Sequence, residues 1–202
     1  MSAAAVEQSH GDRPLIAEAN RLMDRNPGYR VEIIGGQILV SPTPNAAHAR
    51  ALSRLRTLFT ASGLADGETE VLEGIGLWLP TGAEDYAVPD LVVVDADIDD
   101  HLVENNCYAP VCFRLVLEVT SSNWKTDLRN KVKAYAGAKI PVYVIVDRKH
   151  QRVHVLTDPA GDDYENHRPY SPGEVVPLPA AIGAEVTLSV DEILKAGQVR
   201  TG

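Results

Sequence analysis

Three runs of apolar, largely β-branched residues constrain this chain more than anything else in it: Leu91-Val92-Val93-Val94, Cys112 to Val119, and Val142-Tyr143-Val144-Ile145-Val146. Segments apolar on both faces of a strand belong in a sheet that is covered on both sides. Between the second and third runs, the residues from Thr126 or Asp127 as N-cap through Ala138 read as a helix, closed by Lys139-Ile140-Pro141. Strand, helix, strand in that order implies a right-handed parallel crossover. The expected fold class is α/β: a mixed sheet, central strands buried, helices on its faces.

The remaining segments fit around such a sheet. Residues 1–13 read as a disordered leader and 14–202 as a single domain, since 202 residues at 45% hydrophobic and 23% charged suit one sizeable core. Pro14 to Met23 has helical periodicity with proline in its first turn, and Tyr29 to Ile34, Gly35-Gly36 and Gln37 to Val40 read as a hairpin with a two-glycine turn. Asn45 suits the cap of a helix that carries Ala49, Leu52, Leu55, Leu58 and Phe59 on one face and ends near Gly63. Glu68 to Leu79 reads as a strand or hairpin arm, Arg152 to Leu156 as an edge strand, Pro159 to Pro179 as loop-rich, Val186 as the centre of a last strand, and Asp191 to Ala196 as a short helix. The opening residues lack a basic start and an apolar stretch, and no later run could span a bilayer, so the expectation is a cytoplasmic protein without membrane contact. Cys107 and Cys112 lack metal-site spacing and are expected to be reduced, partly buried thiols.

Two of the apolar runs carry an acid: Asp90 opens the first and Glu118 lies deep in the second, with Thr120 two residues on and Lys131 and Lys133 on the following helix. Burying a carboxylate is costly unless a positive partner offsets it, and two in one small domain suggest a shared cation. Hydrolysis of a phosphodiester needs carboxylates that hold Mg²⁺ or Mn²⁺, and a positive group to orient water and offset charge growing on phosphorus.

Pro89-Asp90, then Glu118-Val119-Thr120, then the helix with Lys131 resemble the PD-(D/E)xK nuclease superfamily, and specifically the Uma-two family of restriction endonucleases. The resemblance runs in order from Tyr29 to Gly36 and Ser41-Pro42, through His48, to Glu118-Val119-Thr120-Ser121, Asp127, Lys131, Tyr135 and Pro141 to Asp147, about three quarters of the chain. It implies a restriction-endonuclease-like core with an N-terminal hairpin, Asp90 and Glu118 as metal ligands with the Val119 carbonyl, Mg²⁺ as cofactor with Mn²⁺ able to substitute, and DNA as substrate. Thr120 stands where the superfamily has its lysine; in the Uma-two family that lysine has moved to the next helix, so Lys131 inherits the role. At about 100° per residue, Lys131 lies roughly 60° from the Leu128, Val132, Tyr135 stripe, while Lys133 lies nearly opposite and faces water.

The resemblance also nominates Glu32 as a further ligand or water-orienting group and His48 as a phosphate contact. Against it, Glu32 can equally be a solvent-facing strand residue, and His48 reads better as exposed in a first helical turn. Asp127 reads as a helix cap, pairing with Lys131 four residues on, Thr120 as a local hydrogen-bonding residue, and Asp147 as a turn cap. Asp95 to Asp100 fails as a calcium loop, His150 and His154 lack a third zinc ligand in sequence, and Gly74-Ile75-Gly76 is no dinucleotide loop.

A net charge of -9, from 19 Lys+Arg against 28 Asp+Glu, excludes a protein that coats nucleic acid through a wholly basic surface. Basic residues nevertheless gather near the expected site, with Lys125, Arg129 and Lys133 as nucleic-acid contacts and Arg50, Arg54 and Arg56 on the first long helix. The reading is a Mg²⁺-dependent DNA endonuclease with Asp90, Glu118 and Lys131 catalytic, acting as a homodimer because cutting a duplex calls for two sites. The rival is a catalytically silent module of the same fold that binds nucleic acid or protein.

Overall fold

A computed structural model of the protein describes residues 13–65, 67–120 and 124–198, the side chains of 124–128 excepted. The expected leader therefore lies, apart from Arg13, outside the described residues. The chain runs through α1 (Pro14–Arg25), the hairpin β1 (Arg30–Ile34) and β2 (Gln37–Ser41), α2 (Ala46–Ala61), β3 (Thr69–Leu72), β4 (Gly76–Trp78), β5 (Tyr86–Ala87) and β6 (Leu91–Asp95). It continues through β7 (Leu102–Glu104), β8 (Cys107–Tyr108), β9 (Phe113–Thr120), α3 (Trp124–Gly137), β10 (Val142–Asp147), β11 (Arg152–Ala160), β12 (Asp163–Tyr170), β13 (Val175–Leu178), β14 (Val186–Ser189) and α4 (Val190–Ala196).

These elements form a mixed α/β architecture with two six-stranded sheets, ordered β12-β11-β10-β9-β6-β3 and β2-β1-β5-β4-β8-β7, beside the pair β13-β14. The three apolar runs are β6, β9 and β10, adjacent at the centre of the first sheet. β9 and β10 are parallel, from Leu115 opposite Val142 to Thr120 opposite Asp147, with α3 as the crossover, while β6 and β9 are antiparallel.

Alternation along these strands feeds two cores. Leu91, Val93, Leu115, Leu117, Val144 and Val146 pack toward Leu55 and Phe59 of α2 and Ile193 of α4. Val92, Val94, Val116, Tyr143 and Ile145 pack toward Ala134 and Tyr135 of α3 and Ile34 and Leu77 of the other sheet. Each fully buried aliphatic side chain contributes about 1.5 to 3 kcal/mol, so a one-residue slip that exchanged the two faces of β9 would be prohibitive. That register commits Glu118 to the layer shared with α3 and the second sheet.

β1 divides its side chains in the same way. Val31 and Ile33 pack on Ile16 and Ala19 of α1, which leaves Arg30, Glu32 and Ile34 on the opposite face, toward the layer that holds Glu118. The hairpin turn requires left-handed backbone at Gly35 (φ 60°) and Gly36 (φ 70°). Buried Asp85 fixes that turn: its Oδ2 accepts the Gly35 N–H at 2.8 Å and its Oδ1 the Gly36 N–H at 3.0 Å.

Several expectations need correction. β11 is not an edge strand, because β12 pairs along it from Val153 opposite Tyr170 to Ala160 opposite Asp163. β12 and β13 occupy the stretch read as loop-rich. Only Tyr164 and Tyr170 of β12 are buried, so a solvated outer strand containing proline carries no apolar alternation to betray it. Glu68 to Leu79 is neither one strand nor one hairpin: β3 pairs with β6 and β4 with β5 and β8, in different sheets. α3 begins at Trp124, placing Thr126 and Asp127 inside its first turn and not at its cap. Cys107 and Cys112 are free and buried, and burial pushes their thiols up to about 12 and about 11. No helix among the described residues is long and apolar enough to cross a membrane.

Candidate active site

Asp90 directly precedes β6, and the register that sets Leu91 against Leu117 brings it alongside Glu118 on β9. Both are buried. Asp90 is held on every side: its Oδ2 accepts the Val119 N–H at 2.8 Å and lies 3.4 Å from His48 Nε2, while its Oδ1 accepts from Arg30 Nη1 at 2.6 Å. Burial by itself would raise this carboxyl, but His48, Arg30 and the Val119 N–H outweigh it and hold it at about 2.

Glu118 meets a different set of partners. Its Oε1 accepts from Lys131 Nζ at 2.7 Å and from the Tyr135 hydroxyl at 2.7 Å. Burial pushes its carboxyl above the usual range, opposed by Lys131 and Arg30 and reinforced by Asp90 and Glu32. Lys131 keeps its charge, its pKa raised because Glu118 and then Glu32 outweigh the burial that alone would lower it. The Tyr135 phenol is driven well up by burial and by Glu118, so it remains a donor.

Glu32 completes the cluster. It is 2% exposed, lies 3.0 Å from Lys131 Nζ, and its Oε1 accepts the Val88 N–H at 2.8 Å. Of its two open readings, solvent-facing or site-facing, the second is the one observed. Arg30 Nη1 donates to the Val88 carbonyl at 2.8 Å, so neighbouring positions on one face of β1 grip the Val88-Pro89-Asp90 segment from both its donor and its acceptor side.

His48 must also be corrected. It is buried, not exposed, because Asn45 caps α2 by accepting the His48 N–H at 3.0 Å and the first helical turn lies against Asp90. Arg30 falls within the Tyr29 to Gly36 stretch of the resemblance and Tyr135 on its helix, yet neither carries a role from the sequence. The signals were there: Arg30 shares a period-two face with Glu32, and Tyr135 stands four residues after Lys131.

A groove of about 580 Å³ opens onto this cluster, lined by Arg30, His48, Asp90 and Val119 together with Asn45 and Gly74. Glu118, Glu32 and Lys131 are not part of that lining. Lys133, as expected, is exposed, 4.0 Å from Asp162, and lines a different cavity of about 270 Å³ with Ile34, Gly35 and Thr81. Arg129 is exposed on α3; the side chains of Lys125 and Asp127 lie outside the described residues. Lys131 pairs with Glu118 and Glu32; the pairing with Asp127 expected of it involves a side chain outside the described residues. Thr120 donates not locally but across to the Val146 carbonyl of β10 at 3.3 Å, and Asp147 caps its turn by accepting the Lys149 and His150 N–H groups. The basic residues of α2 are engaged at home: Arg54 with Glu192, Arg50 with the Gln198 carbonyl.

Among the described residues, no group of three or more His, Cys, Asp or Glu is arranged to enclose a metal ion. Two adjacent carboxylates and a backbone carbonyl at Val119 are hard oxygen donors, which suits an ion that retains several waters, as Mg²⁺ does.

Known proteins match this chain at the level of family and fold. None of the curated proteins matches it. A crystal structure of "a putative nuclease belonging to DUF820" from Anabaena variabilis is similar to it at 17% identity, covering 83% of this chain and 91% of that one with a TM-score of 0.66. The model of the Uma2 family, described as "Putative restriction endonuclease", matches residues 16–191. Since that span takes in most of the sequence and every residue of the cluster from Arg30 to Tyr135, the chain belongs to the Uma2 family.

Proposed function

We propose that residues 14–202 form a single nuclease domain that hydrolyses DNA phosphodiester bonds with Mg²⁺, Mn²⁺ substituting. The observation that carries this reading is the placement of Asp90, just before β6, alongside Glu118 on the adjoining β9, backed by Lys131 at 2.7 Å from Glu118 and opening at Asp90 onto a groove. Asp90 and Glu118, with the Val119 carbonyl, are the residues that would hold the ion, which when bound neutralises charge on a phosphoryl oxygen. Asp90, ionised throughout the physiological range, needs no deprotonation before it serves. Lys131 fixes the Glu118 carboxylate and, with the Tyr135 hydroxyl, holds it in one orientation; Glu32 keeps the ammonium in place. His48 and the N–H groups at the start of α2 offer donors to a phosphate in the groove. In the reaction a water oxygen bonds to phosphorus as one ester P–O bond breaks; the water gives up a proton and the leaving oxygen takes one. Homodimerisation follows from duplex cleavage needing two such centres.

A silent module of the same fold is the second reading, favoured by both Asp90 oxygens already having protein partners. Supercoiled plasmid with Mg²⁺ or Mn²⁺ separates the two. The expected result is nicking by the parent that Asp90→Asn and Glu118→Gln each reduce at least about 100-fold. Variants that cut as well as the parent would refute the proposal, and a parent that binds the plasmid without metal-dependent cutting would establish the module.

A further inference from the structure

Arg30 stands between the groove and the carboxylate that the nuclease reading needs, and this inference rests on that reading. We propose that Arg30 is a displaceable counter-ion: it holds Asp90 Oδ1, yields that oxygen to an entering divalent cation, and turns its guanidinium to a non-bridging oxygen of the attacked phosphodiester.

The two oxygens of Asp90 are held differently. Oδ2 is fixed by the Val119 N–H at 2.8 Å, a backbone donor inside a central strand, with His48 at 3.4 Å. Oδ1 is held by a side chain, Arg30 Nη1 at 2.6 Å. A divalent cation at Oδ1 and a guanidinium at hydrogen-bond distance from the same atom repel each other, which weakens the hold of Arg30 there. Arg30 can leave: its side chain is 29% exposed against 4% for Asp90, and it lines the groove. Its hydrogen bonds to the Val88 carbonyl and to Asp90 both run through Nη1, while a guanidinium carries five donors in a planar fork that matches phosphate oxygens.

Lys131 is unsuited to this part. Its side chain is 9% exposed, its amine is shared by Glu118 and Glu32, and it is not in the groove lining. The burial that makes Lys131 a good anchor for Glu118 keeps it from following substrate. Arg30 is therefore the cation of the cluster that can face a phosphate.

Full-length Arg30→Gln and Arg30→Lys proteins test this by calorimetry with Mn²⁺ in the absence of DNA, and by Mn²⁺-dependent plasmid nicking. Removing the competing cation should tighten Mn²⁺ binding by Arg30→Gln about 10-fold or more while slowing nicking about 100-fold or more, the usual loss for one transition-state donor. Arg30→Lys should keep Mn²⁺ affinity within about threefold and lose at least about 10-fold in nicking, because an ammonium lacks the fork. Weaker or unchanged Mn²⁺ binding by Arg30→Gln, or nicking at the parental rate by either variant, overturns the proposal. If Arg30→Gln does not fold, Arg30→Lys decides alone on the same two readings. A parent that neither binds Mn²⁺ nor nicks sinks the nuclease reading and this one with it; a parent that does both, beside a variant without the opposed changes, sinks this one only.

Discussion

Replacing Lys131 by Met removes the basic side chain that Glu118 and Glu32 share, in a cluster where Arg30 and His48 face Asp90. Methionine fills similar volume, so the lost charge dominates. Removing one partner of a buried ion pair costs about 3 to 5 kcal/mol, a large share of the roughly 5 to 15 kcal/mol that holds a domain folded. With a urea slope of roughly 2.5 kcal/mol per molar, the unfolding midpoint should fall by about 1.5 M at pH 7.5. The deficit should depend on pH in a definite sense. Without Lys131 the folded-state pKa of Glu118 lies further above its ordinary 4.5, so folding is favoured where the carboxyl is protonated and that advantage is lost as pH rises through the folded value. The variant should therefore lie closer to the parent at pH 5 than at pH 7.5, and Lys131→Met with Glu118→Gln should recover much of the loss at pH 7.5. A midpoint shift below about 0.4 M, or the same deficit at both pH values, would refute the coupling of Lys131 to the two glutamates.

Asp90, held at about 2 against an ordinary 3.8, should contribute about 2 kcal/mol of stability above pH 3.8 that is lost as pH falls toward 2. Its carboxyl carbon should titrate near 2 by NMR, and Asp90→Asn should flatten the acid-unfolding limb between pH 4 and 2; an ordinary midpoint would show that Arg30 and His48 do not hold it. Tyr135→Phe deletes the 2.7 Å bond to Glu118 but keeps the edge-to-face contact with Tyr143, at 4.8 Å and 80°. It should cost about 1.5 to 3 kcal/mol by urea unfolding, and a loss near zero would mean that Lys131 satisfies Glu118 unaided.

What could be read from the sequence was whatever leaves a local periodic trace. β6, β9 and β10 are apolar at most positions because both faces are covered, and their acids stand out against that background. The Lys131 orientation followed from helical spacing. By contrast β12 is a strand through its neighbour: Val153 opposite Tyr170 and Leu156 opposite His167 define it, while its own residues are mostly solvated. Arg30, Glu32 and His48 became site residues for the same kind of reason. Each sits where a bland reading is locally sound, and each gains its role from an atom 42 to 99 positions away in the chain, at Asp90 or Lys131. Sequence spacing registers neighbours along one element, whereas these three arrive from β1 and α2 onto a centre built on β6, β9 and α3.

On the nuclease reading, this cluster also bears on how a chain of net charge -9 meets a polyanion. On α2, Arg54 pairs with Glu192, Arg50 with the Gln198 carbonyl and Arg56 lies 3.8 Å from Glu73, Lys133 lines a separate cavity, and among the described residues Arg30 and His48 are the basic side chains that line the groove. At the groove Asp90 and Arg30 cancel each other. A divalent cation taken up at Asp90 would change that balance by two positive charges and free the Arg30 guanidinium beside it. Attraction of a phosphodiester then depends on the cation arriving first, not on a standing basic face. An encounter that neutralised few phosphates in this way would show a shallower salt dependence than one that tracks the backbone with lysines.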